Sequence, residues 1–175
     1  MTIYDNDYLT EVTMPLLQHV GDGLTIDQHS NLREVSMASL DHIGGSLTAT
    51  RNNFIQYSGY YMYGYSTADR PTFDLPALRT VEGDVSFSNN DYLGDVTMPA
   101  LVSVGGRVYF YYNYYMAGDV DMSALESIGS DIYIYYSPGY AQSDACAYDL
   151  SSVMSVGSRY STSVYIEYVA CSRFR

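Results

Sequence analysis

The chain has 175 residues, in which 20 acidic side chains stand against eight basic ones for a formal net charge of −12. Nucleic acid and anionic lipid both repel a polyanion, so both are excluded as partners. Hydrophobic residues make up 47% of the chain, which is enough for the core of one domain. No apolar run approaches the ~20 residues that span a bilayer, so we expect no direct insertion into a membrane.

The dominant feature of the sequence is a 23-residue repeat. It reads MTIYDNDYLTEVTMPLLQHVGDG at 1–23, LTIDQHSNLREVSMASLDHIGGS at 24–46 and VSFSNNDYLGDVTMPALVSVGGR at 85–107. The unit at 47–84 carries 15 extra residues, the unit at 108–131 one and the unit at 132–159 five, and a partial unit starts near Val164. This period predicts coils that stack into a solenoid, since no coil can bury its apolar side chains alone.

Each unit opens with a predicted β-strand, because its first and third residues point inward and are separated by one outward residue. The apolar positions that follow are more loosely spaced, and Pro15, Pro76 and Pro99 argue against a full helix there. Stacking would align six apolar columns, which begin in the first unit with Met1, Ile3, Leu9, Met14, Leu17 and Val20.

Two further columns carry no apolar side chains. One follows the opening strand, and we expect its members to point inward and bond the backbone of neighbouring coils. They are Asn6, His29, Asn52, Asn90 and Asn113. The other closes most units with glycine, where we expect a backbone angle that a Cβ disfavours. Its members are Gly21, Gly44, Gly105, Gly129 and Gly157.

The run N-x-x-L-x-x-V-x-M-P-x-L-x-x-V-G-G-x-L-x-I resembles the receptor L-domain class of leucine-rich-repeat-like solenoids. The resemblance covers 1–107 well and 108–170 with drift. It implies an all-β, right-handed parallel β-solenoid of about seven coils of 23 residues, with 1–175 as one repeat domain displayed at a cell surface. Members of this class include the ligand-binding domains of growth-factor-type receptors, but ligands differ across the class, so none is implied here.

Tyrosine occurs 21 times and gathers at the outward positions of the later strands. An insertion at about 56–70 adds more, next to that field. Tyrosine offers a large contact area, little entropy loss and a polar tip, so these side chains are predicted to bind a ligand. The predicted ligand-binding residues are Tyr60, Tyr61, Tyr63, Tyr109, Tyr111, Tyr112, Tyr114, Tyr133, Tyr135, Tyr136, Tyr165 and Tyr168.

Several functions fit such a face. The leading prediction is a non-enzymatic recognition or adhesion module for a protein or carbohydrate ligand. A structural module that self-associates through the tyrosines or through uncapped solenoid ends is the alternative. A plainer interpretation is that tyrosine is a good β-former whose stacked rings stabilise an exposed sheet. An ice-binding face built on Thr2, Thr25 and Thr48 is disfavoured, because three rungs make a poor lattice match.

No motif for catalysis or for a cofactor is present, whether G-x-S-x-G, P-loop, dinucleotide fingerprint or HExxH. We therefore predict no catalytic residues and no cofactor, with a carbohydrate-active enzyme as the least favoured alternative. His19 and His42 share a column and form a conceivable metal pair beside Asp41, but two surface histidines on a turn is the favoured interpretation. No metal site is predicted.

The two cysteines, Cys146 and Cys171, could be buried thiols or one disulfide. Because they fall in adjacent coils, we predict a disulfide that staples a C-terminal coil at about 144–175. The acidic surface, rich in Tyr, Ser, Asn and Asp, favours an extracellular or cell-surface location. Met1 already occupies a core column, so we expect the chain to be part of a larger protein.

Overall fold

The computed structural model describes residues 1–52, 70–114, 116, 118–137, 147–157, 164–169 and 173–174, with only the backbone at 136–137, 164–169 and 173–174. The described part is all-β, with no helix, and its parallel strands form a β-solenoid. No helix in these ranges is long and apolar enough to cross a membrane. The predicted all-β solenoid is therefore confirmed.

The described strands form three parallel sheets of seven, seven and six strands. The first sheet contains β1 (Thr2–Tyr4), β4 (Leu24–Asp27), β7 (Leu47–Thr50), β10 (Val85–Ser88), β13 (Val108–Tyr111), β16 (Ile132–Ser137) and β19 (Val164–Val169). The second contains β2 (Glu11–Thr13), β5 (Glu34–Ser36), β8 (Thr72–Asp74), β11 (Val96–Thr97), β14 (Val120–Asp121), β17 (Ala147–Asp149) and β20 (Arg173–Phe174). The third contains β3 (His19–Val20), β6 (His42–Ile43), β9 (Thr80–Val81), β12 (Ser103–Val104), β15 (Ser127–Ile128) and β18 (Ser155–Val156).

The register of the first sheet follows the sequence repeat. Thr2 pairs with Thr25, and Thr25 pairs with Thr48, so equivalent residues of successive repeats lie side by side. Leu47 pairs with Val85, so the register of the sheet continues from the third unit to the fourth despite the extra residues of the third. The looser second half of each unit forms two more short strands, which the apolar spacing alone does not reveal.

The core consists of apolar columns that run through the stack. Five of the six predicted columns are buried throughout the middle coils, and the column of Leu9 is buried at Leu32, Leu93 and Met116. The sequence analysis overlooked one inward column, formed by the central residue of the second-sheet strands. Its members are Val12, Val35, Phe73, Val96, Val120 and Tyr148, which are at most 5% exposed.

The polar column forms a buried ladder, as expected. The Asn90 side chain donates to the carbonyl oxygen of Ala49 at 3.0 Å and accepts the backbone N–H of Asn52 at 2.9 Å. Asn113 repeats the pattern one coil on, towards Phe87 and the Asn90 N–H. Each amide thus accepts a backbone N–H that the turn after the strand would otherwise leave unpaired in the core, and adds a second bond to a strand carbonyl oxygen.

His29 replaces asparagine in this ladder. Its Nδ1 lies 3.2 Å from the backbone nitrogen of Asn6, and its Nε2 lies 3.2 Å from the carbonyl oxygen of Ile3. A neutral ring with the proton on Nε2 therefore supplies the same acceptor and donor as an amide. The substitution is not perfect, because the Oδ1 atom of Asn52 in the next coil has no hydrogen-bond partner.

The expected reason for the glycine column holds at Gly157, whose φ is 139°, and is wrong for Gly21, Gly44, Gly105 and Gly129. Among the described glycines only Gly157 has a positive φ. A Cβ at Gly44 would instead lie 2.5 Å from the carbonyl oxygen of Gly21, and one at Gly105 would overlap the carbonyl oxygen of Glu82. Gly44 and Gly105 are therefore required because the turns of neighbouring coils stack there with no room for a side chain, whereas a Cβ at Gly21 would meet nothing within 4 Å.

Positive φ occurs at a different column, the residue that follows each first-sheet strand. Its members are Asp5, Gln28, Arg51, Asn89 and Tyr112, with φ between 53° and 59°. The left-handed conformation costs an L-residue ~1–2 kcal/mol. It bends the chain so that the next residue enters the Asn ladder, and each of these N–H groups bonds a carbonyl of the following coil, as Tyr112 does to Tyr135 at 3.1 Å.

Candidate functional site

Six described tyrosines lie together at the C-terminal part of the first sheet, and we call them the Tyr block. They are Tyr109, Tyr111, Tyr112, Tyr114, Tyr133 and Tyr135. The parallel register sets Tyr109 beside Tyr133 and Tyr111 beside Tyr135. All six are half-buried. The inward residues between them on the strands, such as Phe110 and Ile134, are buried in the core.

The rings of the Tyr block contact one another in a continuous network. Tyr109 and Tyr133 have centroids 5.4 Å apart and an interplanar angle of 24°, and Tyr111 and Tyr135 have 5.3 Å and 19°. Tyr109 also stacks on Tyr111 at 5.3 Å. Offset aromatic pairs at such distances stabilise one another beyond their buried area, so the block is a preformed, rigid surface.

Tyr112 lies after the end of β13, and its backbone conformation, rather than the alternation along a strand, brings its ring to the Tyr block. Its φ of 55° turns the side chain at the end of β13, where its ring centroid lies 4.0 Å from that of Tyr111. The ring also stacks on Tyr114 at 5.6 Å with an angle of 9°. The left-handed turn thus extends the aromatic surface past the C-terminal end of the strand.

Phenol ionisation is suppressed inside the block. A side-chain hydrogen bond with Tyr112, together with desolvation and the neighbouring phenols, raises the pKa of Tyr111 well above 10.0. Desolvation is the main cause that raises the pKa of Tyr109, with Tyr133 adding to it and Arg107 opposing it. Tyr109 and Tyr111 are therefore neutral hydroxyl donors and acceptors at physiological pH.

Towards the N-terminal coils the same face changes from aromatic to small hydroxyl side chains. Ser86 is the register partner of Tyr109, and Ser88 is the partner of Tyr111. On β7, Thr48 and Thr50 lie beside these two serines of β10. The Thr50 and Ser88 hydroxyl oxygens are 3.1 Å apart. These four side chains are partly exposed and form a low strip next to the Tyr block.

A charged network borders the strip on its other side. Arg51 donates from Nε and Nη2 to the two carboxylate oxygens of Asp27, at 3.1 and 2.7 Å, and this bond is the main cause that raises the Arg51 pKa. With its amide turned to satisfy both neighbours, Gln28 accepts from Arg51 at 2.9 Å and donates to the Tyr4 hydroxyl at 2.9 Å. In the sequence, the only signal for Gln28 and Arg51 is their place directly after a strand.

The remaining predicted ligand-binding tyrosines are only partly described. Tyr136 lies within β16, whereas Tyr112 lies beyond the end of β13, so these two do not occupy equivalent backbone positions. Tyr165 and Tyr168 lie on β19, where Tyr165 pairs with Tyr133 and Glu167 with Tyr135. Tyr60, Tyr61 and Tyr63 lie outside the described residues, as do Cys146 and Cys171 with their predicted disulfide.

The two histidines of the third sheet lie side by side. Their ring centroids are 6.3 Å apart. Each has its own acidic neighbour: Nδ1 of His19 lies 2.8 Å from Asp41 Oδ1, in a direction that makes no hydrogen bond, and Nε2 of His42 lies 3.5 Å from Glu82. No group of three or more His, Cys, Asp and Glu in the described ranges could hold a metal ion.

Comparison with known proteins adds no relative: no family model, no curated protein and no solved structure matches this chain.

Proposed function

We propose that this chain is a non-enzymatic recognition or adhesion module that binds a protein or glycan ligand at a cell surface or outside the cell. The Tyr block and the insertion at about 56–70 form its contact surface. The observation that carries the proposal is six half-buried tyrosines packed into one rigid, uncharged surface on an acidic protein. Such a surface binds at low entropic cost, because its side chains are already ordered.

The same proposal includes the finer description of the fold. The chain forms about seven right-handed, leucine-rich-repeat-like coils of 23 residues and resembles a receptor L domain. The buried Asn ladder and the register of equivalent residues support this description. A disulfide between Cys146 and Cys171 closes the C-terminal coil.

Self-assembly is the second candidate function. Among the described strands, β1 and β19 each have a neighbour on one side only in the first sheet. Unpaired strand edges can pair with another chain, and a second Tyr block could cover the first. In that case the protein is a stalk or assembly module. Catalysis on carbohydrate and ice binding stand behind both, and the change from threonine to serine and tyrosine along the sheet interrupts any regular threonine lattice.

Sedimentation over a range of concentrations separates the two candidates. The wild type is compared with a variant in which Tyr111, Tyr135 and Tyr136 are all serine, with Thr97→Ser on the second sheet as a control for surface substitution. If the wild type and the variant both remain monomeric, the Tyr block is free to bind a foreign ligand. Protein and glycan arrays then test binding, and the proposal is abandoned if the triple variant keeps every interaction of the wild type. Self-association that only the variant lacks supports the assembly module.

A further inference from the structure

The outward positions of the first sheet contain no aliphatic side chain from β1 to β16. From β4 to β16 they are threonine, serine, aspartate or tyrosine. The exposed Leu16 and Met154 lie outside this sheet. Serine and threonine, which form the hydroxyl strip, are under-represented among the residues that dominate binding between proteins. A surface of hydroxyl groups and aromatic rings matches a ligand that also combines hydroxyl groups with C–H faces.

The hydroxyl strip forms the floor of a shallow trough. On one side the Tyr109 and Tyr111 rings rise beside Ser86 and Ser88. Their described ring contacts are all with other members of the Tyr block. The flank above β10 therefore has no aromatic neighbour among the described residues. With strands ~4.8 Å apart, the floor of β7 and β10 is wide enough for one chain of sugar rings against this aromatic wall.

The opposite border supplies planar, fixed hydrogen-bonding groups. Arg51 and Asp27 hold each other in two parallel bonds, while the Arg51 side chain remains 44% exposed. A guanidinium held in this way keeps a fixed orientation in which its exposed part can donate to a sugar hydroxyl. The pair is neutral as a whole, so an uncharged ligand loses no charge hydration on binding.

The charge of the molecule selects against acidic ligands. At a net charge of −12 the chain repels polyuronates and sulfated polysaccharides. Resting on the proposed function, and naming its ligand class, we propose that the trough over β7 and β10 binds a neutral polysaccharide, with its sugar faces against Tyr109 and Tyr111 and its hydroxyls on Thr50, Ser88 and Arg51.

The test uses isothermal titration of the full chain with neutral hexasaccharides of glucose, N-acetylglucosamine and mannose, and with hexagalacturonate as the acidic probe. We expect at least one neutral hexasaccharide to bind and hexagalacturonate not to bind. Tyr111→Ala should weaken binding about tenfold, which corresponds to ~1.4 kcal/mol.

The decisive variant fills the trough. Ser88→Tyr places a ring over the floor and should abolish binding, while it lengthens the Tyr block by one rung. Ser36→Tyr, at an outward position of the second sheet, is the matched control and should bind like wild type. Thermal unfolding checks that both variants fold.

The proposal is overturned if no neutral hexasaccharide binds, if hexagalacturonate binds best, or if Ser88→Tyr binds a neutral hexasaccharide like wild type. A protein ligand from an array that is lost in the Tyr111, Tyr135 and Tyr136 triple variant, with no glycan binding, would overturn the polysaccharide and leave the recognition module standing. If the triple variant still binds both the protein and the glycan ligands of the wild type, the polysaccharide proposal and the recognition module are both overturned.

Discussion

Replacing Asn90 by alanine tests whether the buried amide ladder holds the coils together. In the wild type the Asn90 side chain serves two backbone groups, the N–H of Asn52 and the carbonyl oxygen of Ala49. The Oδ1 of Asn113 accepts from the backbone N–H of Asn90, so that bond survives the substitution. Alanine therefore leaves the buried N–H of Asn52 without a partner, whereas the Ala49 carbonyl oxygen keeps its bond within the parallel sheet.

An unsatisfied buried group costs ~1–3 kcal/mol, so Asn90→Ala should lower the free energy of unfolding by ~1–3 kcal/mol. Asn6→Ala is the matched control from the same column. Asn6 is exposed, and its side chain donates only to the nearby carbonyl of Tyr4, so its loss should cost ~0.5 kcal/mol or less.

Urea unfolding with linear extrapolation measures both costs. Native-state hydrogen exchange adds a local measurement, because the Asn52 amide should lose protection in Asn90→Ala and keep it in Asn6→Ala. Equal costs for the two variants, or an unchanged Asn52 amide, would show that stacking of the apolar columns holds the coils without the ladder.

Two further predictions concern the glycine turns and the Tyr block. Gly105→Ala should destabilise the protein by ~1–3 kcal/mol, because its Cβ overlaps the Glu82 carbonyl, whereas Gly21→Ala, whose Cβ meets nothing within 4 Å, should be nearly neutral in thermal unfolding; equal melting temperatures would refute the steric reason. The raised pKa of Tyr111 means that the folded state holds this proton more tightly than the unfolded chain, so its stabilisation is complete below pH ~10 and is lost as the pH rises through the folded-state pKa. Alkaline titration of tyrosinate absorbance should show a late-titrating phenol that Tyr111→Phe removes, and a wild-type curve identical to that of the variant would contradict the assignment.

The candidate site illustrates how far outward positions can be inferred from sequence. Alternation along each opening strand predicted that Tyr109, Tyr111, Tyr133 and Tyr135 point away from the core, and the register places them side by side. The part played by Tyr112 could not be predicted in this way. It depends on a left-handed φ, which the chain tolerates because the Tyr112 N–H bonds the next coil.

The charged border of the trough was missed for a related reason. Asp27 and Arg51 are 24 residues apart in sequence and meet only because successive coils stack in register. Gln28 links Arg51 to Tyr4 across three coils. No spacing within one repeat marks such a contact.

By itself, the sequence determined the period, the alternation of the opening strand, the apolar columns and the inward amides. These features depend on side-chain chemistry that recurs in every coil, so a single chain displays them several times. Only the tertiary structure decided that the second half of each unit forms two more strands and that Val12 and its equivalents face the core. It also showed that crowding between stacked turns, rather than φ, accounts for turn glycines such as Gly44 and Gly105. Those outcomes depend on contacts between coils, because the spacing of neighbouring backbones determines which side chains can be accommodated. That spacing cannot be read from the sequence of a single repeat.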